Sequence, residues 1–106
     1  MGLFVIAAYR PKPGKQQQLL EVLRDHLPIL REQKLATDRP AYLMKSGDGT
    51  IIEVFEWKSH QAVEQAHSNP TVAKLWARFA ECCDYTGLKN LPEFDGPFPN
   101  FEPVEL

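Results

Sequence analysis

TIIEVFEWKSHQAVEQAHSNP, residues 50–70, decides how this chain is read: a run of β-branched and aromatic residues ends in Trp57 and passes directly into a short helical segment. Ile52, Val54 and Glu56 alternate with Ile51, Glu53, Phe55 and Trp57, so this strand is largely apolar on both faces. Ser59 is placed to cap a helix that runs to about His67. Ser68-Asn69-Pro70 then stops it and starts another, because Pro70 in a first turn lacks a donor that would have no partner there anyway. Trp57, His60 and His67 thus gather at one strand-to-helix junction, where a site is expected.

Working outward, residues 41–45 form a strand joined to residues 50–57 by Ser46-Gly47-Asp48-Gly49, and Asp-Gly between β-rich runs favours the positive φ of a tight hairpin. Residues 3–9 read as an N-terminal strand without alternation, closed by Arg10-Pro11-Lys12-Pro13-Gly14. A helix over residues 15–34 carries Leu19, Leu20, Leu23, Leu27 and Leu30 at helical spacing, with Pro28 expected to bend it. Val72, Leu75, Trp76 and Phe79 give the segment after Pro70 its apolar stripe. Beyond Gly87 the chain is rich in proline and aromatic residues. It reads as an edge strand near residues 98–104, or as an arm laid over a neighbouring subunit.

The order β-α-β-β-α(α)-β predicts an α+β fold, the ferredoxin-like split βαβ with an antiparallel four-stranded sheet. Helices of this number cover one sheet face, yet the strands are apolar on both. A second copy packed through that face, a homodimer, is the expected cover.

The 106 residues predict a single domain, with a core over about residues 3–83 and a proline-rich tail over residues 87–106. With 12 basic and 14 acidic residues and no basic stripe, no nucleic acid partner is expected. LFVIAAY is far shorter than the ~20 residues of a membrane helix and has no leader pattern, so the expected location is cytoplasmic, without a membrane partner. Ile6 stands where a myristoylation motif needs Ser or Thr. Cys82 and Cys83, adjacent on the expected helix, cannot pair without strain and read as two buried thiols.

The residues Arg10-Pro11-Lys12-Pro13-Gly14-Lys15, the hairpin, Glu56-Trp57-Lys58-Ser59 and Gln65-Ala66-His67-Ser68-Asn69-Pro70 together resemble the dimeric α/β-barrel superfamily, and within it the antibiotic-biosynthesis monooxygenase (ABM) type domain. The resemblance covers about residues 3–83. It implies a dimeric α/β barrel with a pocket in each subunit between sheet and helices. Some members of the family are cofactor-independent oxygenases of aromatic polyketides or quinol-like molecules, some degrade haem, and many have no known reaction. Fold membership alone does not choose among these.

Residue chemistry narrows the candidates. His67 can take a phenolic proton near neutrality, or it can be a helix-terminal His favoured by the dipole. Trp57 is a candidate pocket wall with an indole donor, or else a core or interface residue. Glu53, a carboxylate among Ile51 and Phe55, can orient a histidine or line the pocket. The alternative is a pair with a Lys or Arg across the hairpin or the dimer. Tyr9 with Arg10, and less directly Tyr42, can meet a polar substrate edge; the alternative is that they are strand-end residues kept for solubility. His60 is expected in solvent, and His26, between Leu23 and Leu30, is expected to be partly buried and structural. The histidines are too dispersed for a metal site and no phosphate-binding glycine loop is present, so no metal and no cofactor are expected.

The reading that follows is a small-molecule monooxygenase acting without metal or flavin on an aromatic or quinol-like substrate. Its alternative is a non-catalytic small-molecule-binding or accessory homodimer. Haem degradation is disfavoured, since the resemblance would place an Asn where Ala7-Ala8 stand and a haem-ligating His near Trp76.

Overall fold

The computed structural model describes residues 2–106. The order is β1 (Leu3–Pro11), α1 (Gln16–Glu32), β2 (Tyr42–Lys45), β3 (Ile51–Trp57), α2 (His60–His67), α3 (Pro70–Cys82), β4 (Cys83–Thr86) and β5 (Glu102–Pro103), with short 3-10 turns at Leu88–Asn90 and Pro92–Asp95. All strand pairs are antiparallel, in the order β4-β1-β3-β2-β5. β1 lies along the whole of β3, Leu3 opposite Trp57 and Tyr9 opposite Ile51.

Local chemistry sets these boundaries. Ser59 Oγ accepts from Ala62 N at 3.0 Å and starts α2. Asn69 Oδ1 accepts from Thr71 N and Val72 N at 2.9 and 3.1 Å and starts α3, with Pro70 in its first turn. The hairpin closes through Ser46 N to Thr50 O at 2.9 Å, and Gly49 takes the positive φ of 93° that a Cβ would disfavour. α1 runs unbroken through Pro28; Arg24 and Pro28 are both exposed, so the carbonyl deprived of its donor lies on the solvent side.

α1 buries Leu19, Val22, Leu23, His26, Leu27 and Leu30, and α3 buries Val72, Leu75, Phe79 and Cys82. Both pack on the sheet face that carries Tyr9, Ile51, Phe55 and Trp57. Each such leucine or phenylalanine contributes on the order of 1.5–3 kcal/mol by leaving water.

The structure corrects the expected sheet. It has five strands rather than four, and it is open: β4 and β5 are its two free edges and do not meet, so the sheet is not closed into a barrel. The dimeric α/β barrel implied by the resemblance is therefore set aside. The strand that completes the split βαβ is β4, which begins at Cys83, a residue the sequence reading kept in the helix. Its four residues, with Asp84 and Tyr85 exposed, carry too little periodicity to announce a strand. The tail supplies a further edge strand, β5, at the far side of β2, shorter than the expected span because Pro103 has no donor for a ladder.

The tail also accounts for part of the second sheet face. Leu91 packs on Ala8 and Ile52, with Met44, Leu88 and Phe101 around them. Glu93 latches this segment to the hairpin, accepting from Ser46 Oγ at 2.7 Å and from Gly47 N at 2.8 Å. The Gly47 amide first, and then the Ser46 hydroxyl, hold the Glu93 carboxyl below its ordinary value. A depressed folded-state value means the latch contributes fully above the unfolded glutamate value of ~4.3 and is lost as pH falls below it. In an NMR titration the Gly47 amide shift should therefore move with a midpoint below that of a free glutamate, and Glu93→Gln should abolish the step. A midpoint at or above the free value contradicts the latch.

Candidate functional site

The helix-side face of the sheet carries a buried polar network in an otherwise apolar layer. Glu53 is 0% exposed, and its neighbours across the ladder are Ala7 and Leu43, so no Lys or Arg stands opposite to pair with it. Its Oε1 accepts from Tyr9 Oη at 2.8 Å. His26 of α1 places Nδ1 2.9 Å from Oε1 and 3.1 Å from Oε2. With Glu53 as the acceptor, Nδ1 is the donor, and Nε2 is left for another partner. Burial foremost, and then the Glu53 charge and hydrogen bond, push the Tyr9 phenol far above its ordinary value, so its O–H is a fixed donor to Glu53.

Aromatic rings wedge this network in place. Tyr9 stacks on Phe79 with centroids 4.7 Å apart and planes 9° from parallel. His26 meets Phe55 and Phe79 edge to face at 5.3 and 5.0 Å. The imidazole is 3% exposed and lines a cavity of about 300 Å³. Nε2 makes no hydrogen bond among the described residues, yet it is not sealed off: the enclosed side-chain atom without a partner there is Thr50 Oγ1. His26 thus lines the cavity with an imidazole nitrogen that has no hydrogen-bond partner among the described residues.

The cavity floor is Tyr9, His26, Phe55, Trp57 and Phe79, all buried, while Val5 and Ala7 of β1 form a half-buried side. Its mouth is ringed by His67 at the end of α2, Trp76 of α3 and Tyr85 of β4. The rings of His67 and Trp76 meet at 5.1 Å. Larger cavities of about 510 and 450 Å³ lie beside the hairpin and the β5 edge, but neither is lined by a histidine or by an aromatic cluster.

The structure thus brings together Tyr9, Trp57 and His67 on one cavity, with Glu53 directly behind it. Glu53 takes a histidine rather than a surface cation. Tyr42 is elsewhere: its register with Val54 puts it on the opposite sheet face, 70% exposed. Arg10 is also remote, 3.8 Å from Asp48, and His60 is exposed in the first turn of α2. His26 is the residue whose place sequence reasoning missed. The available signal was a pair of polar residues, His26 and Glu53, each expected on an apolar face and each needing a partner there.

Cys82 and Cys83 are free and buried, their sulfurs directed to backbone carbonyls, and burial raises both thiols, Cys83 to about 12. Among the described residues no three His, Cys, Asp or Glu side chains group to hold a metal ion, and no helix is long and apolar enough to cross a membrane.

No protein-family model matches the chain, and no curated protein matches it. Among solved structures it is similar to Rv0793 from Mycobacterium tuberculosis, with 21% identity, a TM-score of 0.62, and coverage of 81% of this chain and 91% of that one. It is also similar to a conserved protein from Methanosarcina mazei Go1, with 18% identity, a TM-score of 0.58, and coverage of 79% and 83%. At these identities what is shared is the fold.

Proposed function

We propose that this chain is an ABM-like small-molecule monooxygenase in which His26, oriented by Glu53, takes a proton from a phenolic or quinol-like substrate enclosed by the aromatic cavity. The shared fold supports the family resemblance, and one observation carries the chemistry: a buried imidazole, held through Nδ1 by Glu53, lines an apolar pocket with its other nitrogen unpartnered among the described residues. The imidazole would accept the proton, and the apolar walls strip water from the anion this generates.

The rest of the reaction belongs to substrate and oxygen. Deprotonation of the phenol makes a ring carbon electron-rich, and that carbon bonds one atom of dioxygen. The hydroperoxide then loses water and leaves a carbonyl. The ring C–H hydrogen and the phenolic proton depart with the second oxygen atom, so dioxygen is the oxidant and the substrate supplies all the electrons.

Oxygen uptake with a panel of hydroquinones and polyphenols tests this reading. Uptake with carbonyl product and one water per dioxygen supports it. Tight binding without uptake favours the alternative, a non-catalytic binding or accessory protein that uses the same cavity.

Self-association through the second sheet face is part of the proposal. Phe4 and Ile6 on that face are 58% and 52% exposed and Tyr42 is 70% exposed, with Ile6 at the margin of the area the tail covers. The chain's accessible surface is 6681 Å². A compact monomer of 12.1 kDa would expose about 6,000 Å². The excess is of the order of the ~800 Å² per partner in a standard interface. Sedimentation should give twice the chain mass, and Ile6→Lys should return it to the monomer mass; a monomer in the unaltered protein removes this part of the proposal.

A further inference from the structure

Resting on self-association through the second sheet face, we infer that two copies lock through Phe98, the phenyl ring of each entering an apolar groove of the other. Ring and groove lie on one surface of the chain. On that face β1 and β3 set Ile6 opposite Val54, and β2 adds Tyr42 to the same row. The next row, Ala8, Ile52 and Met44, is the one the tail packs on. Between the open row and the tail runs a groove of about 310 Å³, with Ile6, Val54 and Met44 on its sheet side and Leu88, Phe94 and Pro99 on its tail side. Every residue that lines it is apolar. Sites for small ligands carry a few polar groups that fix orientation. This groove has none, which suits it to a hydrocarbon side chain.

Phe98 is 85% exposed, the most of any large apolar residue among those described. Its backbone is held at both ends: Glu93 ties the segment before it to the hairpin, and β5 ties the segment after it to β2. Pro97 and Pro99 flank it with fixed φ angles, and Asn100 Nδ2 donates to its carbonyl at 3.1 Å. Pro99 lines the chain's own groove while Phe98 stands clear of it. An aromatic side chain displayed on a stiffened loop costs less to order on association, and such rings seated in pockets carry much of the energy of interfaces. A benzyl group needs about 200 Å³ at the ~30 Å³ of a water-sized group, so the groove has room for it. A two-fold interface requires a patch complementary to itself. A projecting ring and a groove on one surface meet that requirement, each copy giving one ring and receiving one.

Two measurements on the full chain test the inference. In sedimentation equilibrium over a concentration series, Phe98→Ala should weaken self-association at least tenfold and Phe98→Leu by less, with near-ultraviolet circular dichroism establishing that both variants are folded. In a mixture of chains labelled at Ile and Met methyl groups with unlabelled chains, an isotope-filtered NOE should join the Ile6 or Met44 methyl of one copy to an aromatic ring of the other. Phe98→Ala in the unlabelled chains should remove that contact at a concentration where the variant still associates. A dimer that Phe98→Ala leaves unchanged, or one without the contact between copies, overturns the inference and leaves sheet-face self-association standing, which Ile6→Lys then reads by itself. A monomer in the unaltered chain removes both. Neither readout involves oxygen, so failure of the oxygenase reading leaves the inference in place.

Discussion

Glu53→Ala is expected to destabilise the fold by about 3–5 kcal/mol, a large share of the 5–15 kcal/mol that holds a typical domain together. The carboxylate is fully enclosed, and two donors, the Tyr9 hydroxyl and His26 Nδ1, are satisfied by it alone. Removing it strands both donors in a layer of Phe55, Phe79 and Trp57 and leaves a void where the side chain was. Glu53→Gln is the control. Its amide oxygen can keep the Tyr9 bond and its amide nitrogen can donate to His26 Nδ1 once the imidazole takes its other tautomer, so a cost of about 1–2 kcal/mol is expected. Urea unfolding with a common slope reads both changes. A loss under about 1 kcal/mol for Glu53→Ala would mean that the network is not what organises this layer.

The split βαβ was legible because its parts are written in local chemistry: the Ser59 and Asn69 caps, the Gly49 turn and the leucine spacing of α1 each act within a few residues. β4 was not legible, since four residues with two exposed side chains have no period to read. The barrel failed for a different reason. An apolar strand face says that it is covered, and it does not say by what; here Leu88, Leu91 and Phe101 of the chain's own tail take part of it. The same holds for the candidate site. Trp57, Tyr9 and His67 were found from strand and helix ends; parity along β1 and β3 puts Tyr9 and Trp57 on one face, and the end of α2 brings His67 to the same cavity. Parity likewise excludes Tyr42, which pairs with Val54 and faces the other way. The His26–Glu53 pair joins residues 27 positions apart across two elements, and no local rule links them. Only the demand that two buried polar groups find partners does so.

That pair leads to the functional prediction with the largest effect: with a substrate that supports oxygen uptake, His26→Ala should lower the rate by about a hundredfold or more, the usual contribution of a positioned general base. His67→Ala should change it by less than about threefold, because His67 is exposed at the mouth and makes no hydrogen bond to any other described side chain. Two further readouts separate a lost base from a damaged fold. Added imidazole should partly restore His26→Ala, since truncation opens a space beside Glu53 of the right size and polarity. Glu53→Gln should stay folded yet lose activity nearly as far, because the tautomer that suits the amide turns Nε2 into a donor and removes the lone pair from the cavity. If instead His67→Ala abolishes uptake while His26→Ala retains it, the base is the histidine at the mouth and the buried network serves only to hold the sheet to α1. If Glu53→Gln remains fully active, Nε2 is not the atom that takes the proton, and the mechanism must route it elsewhere.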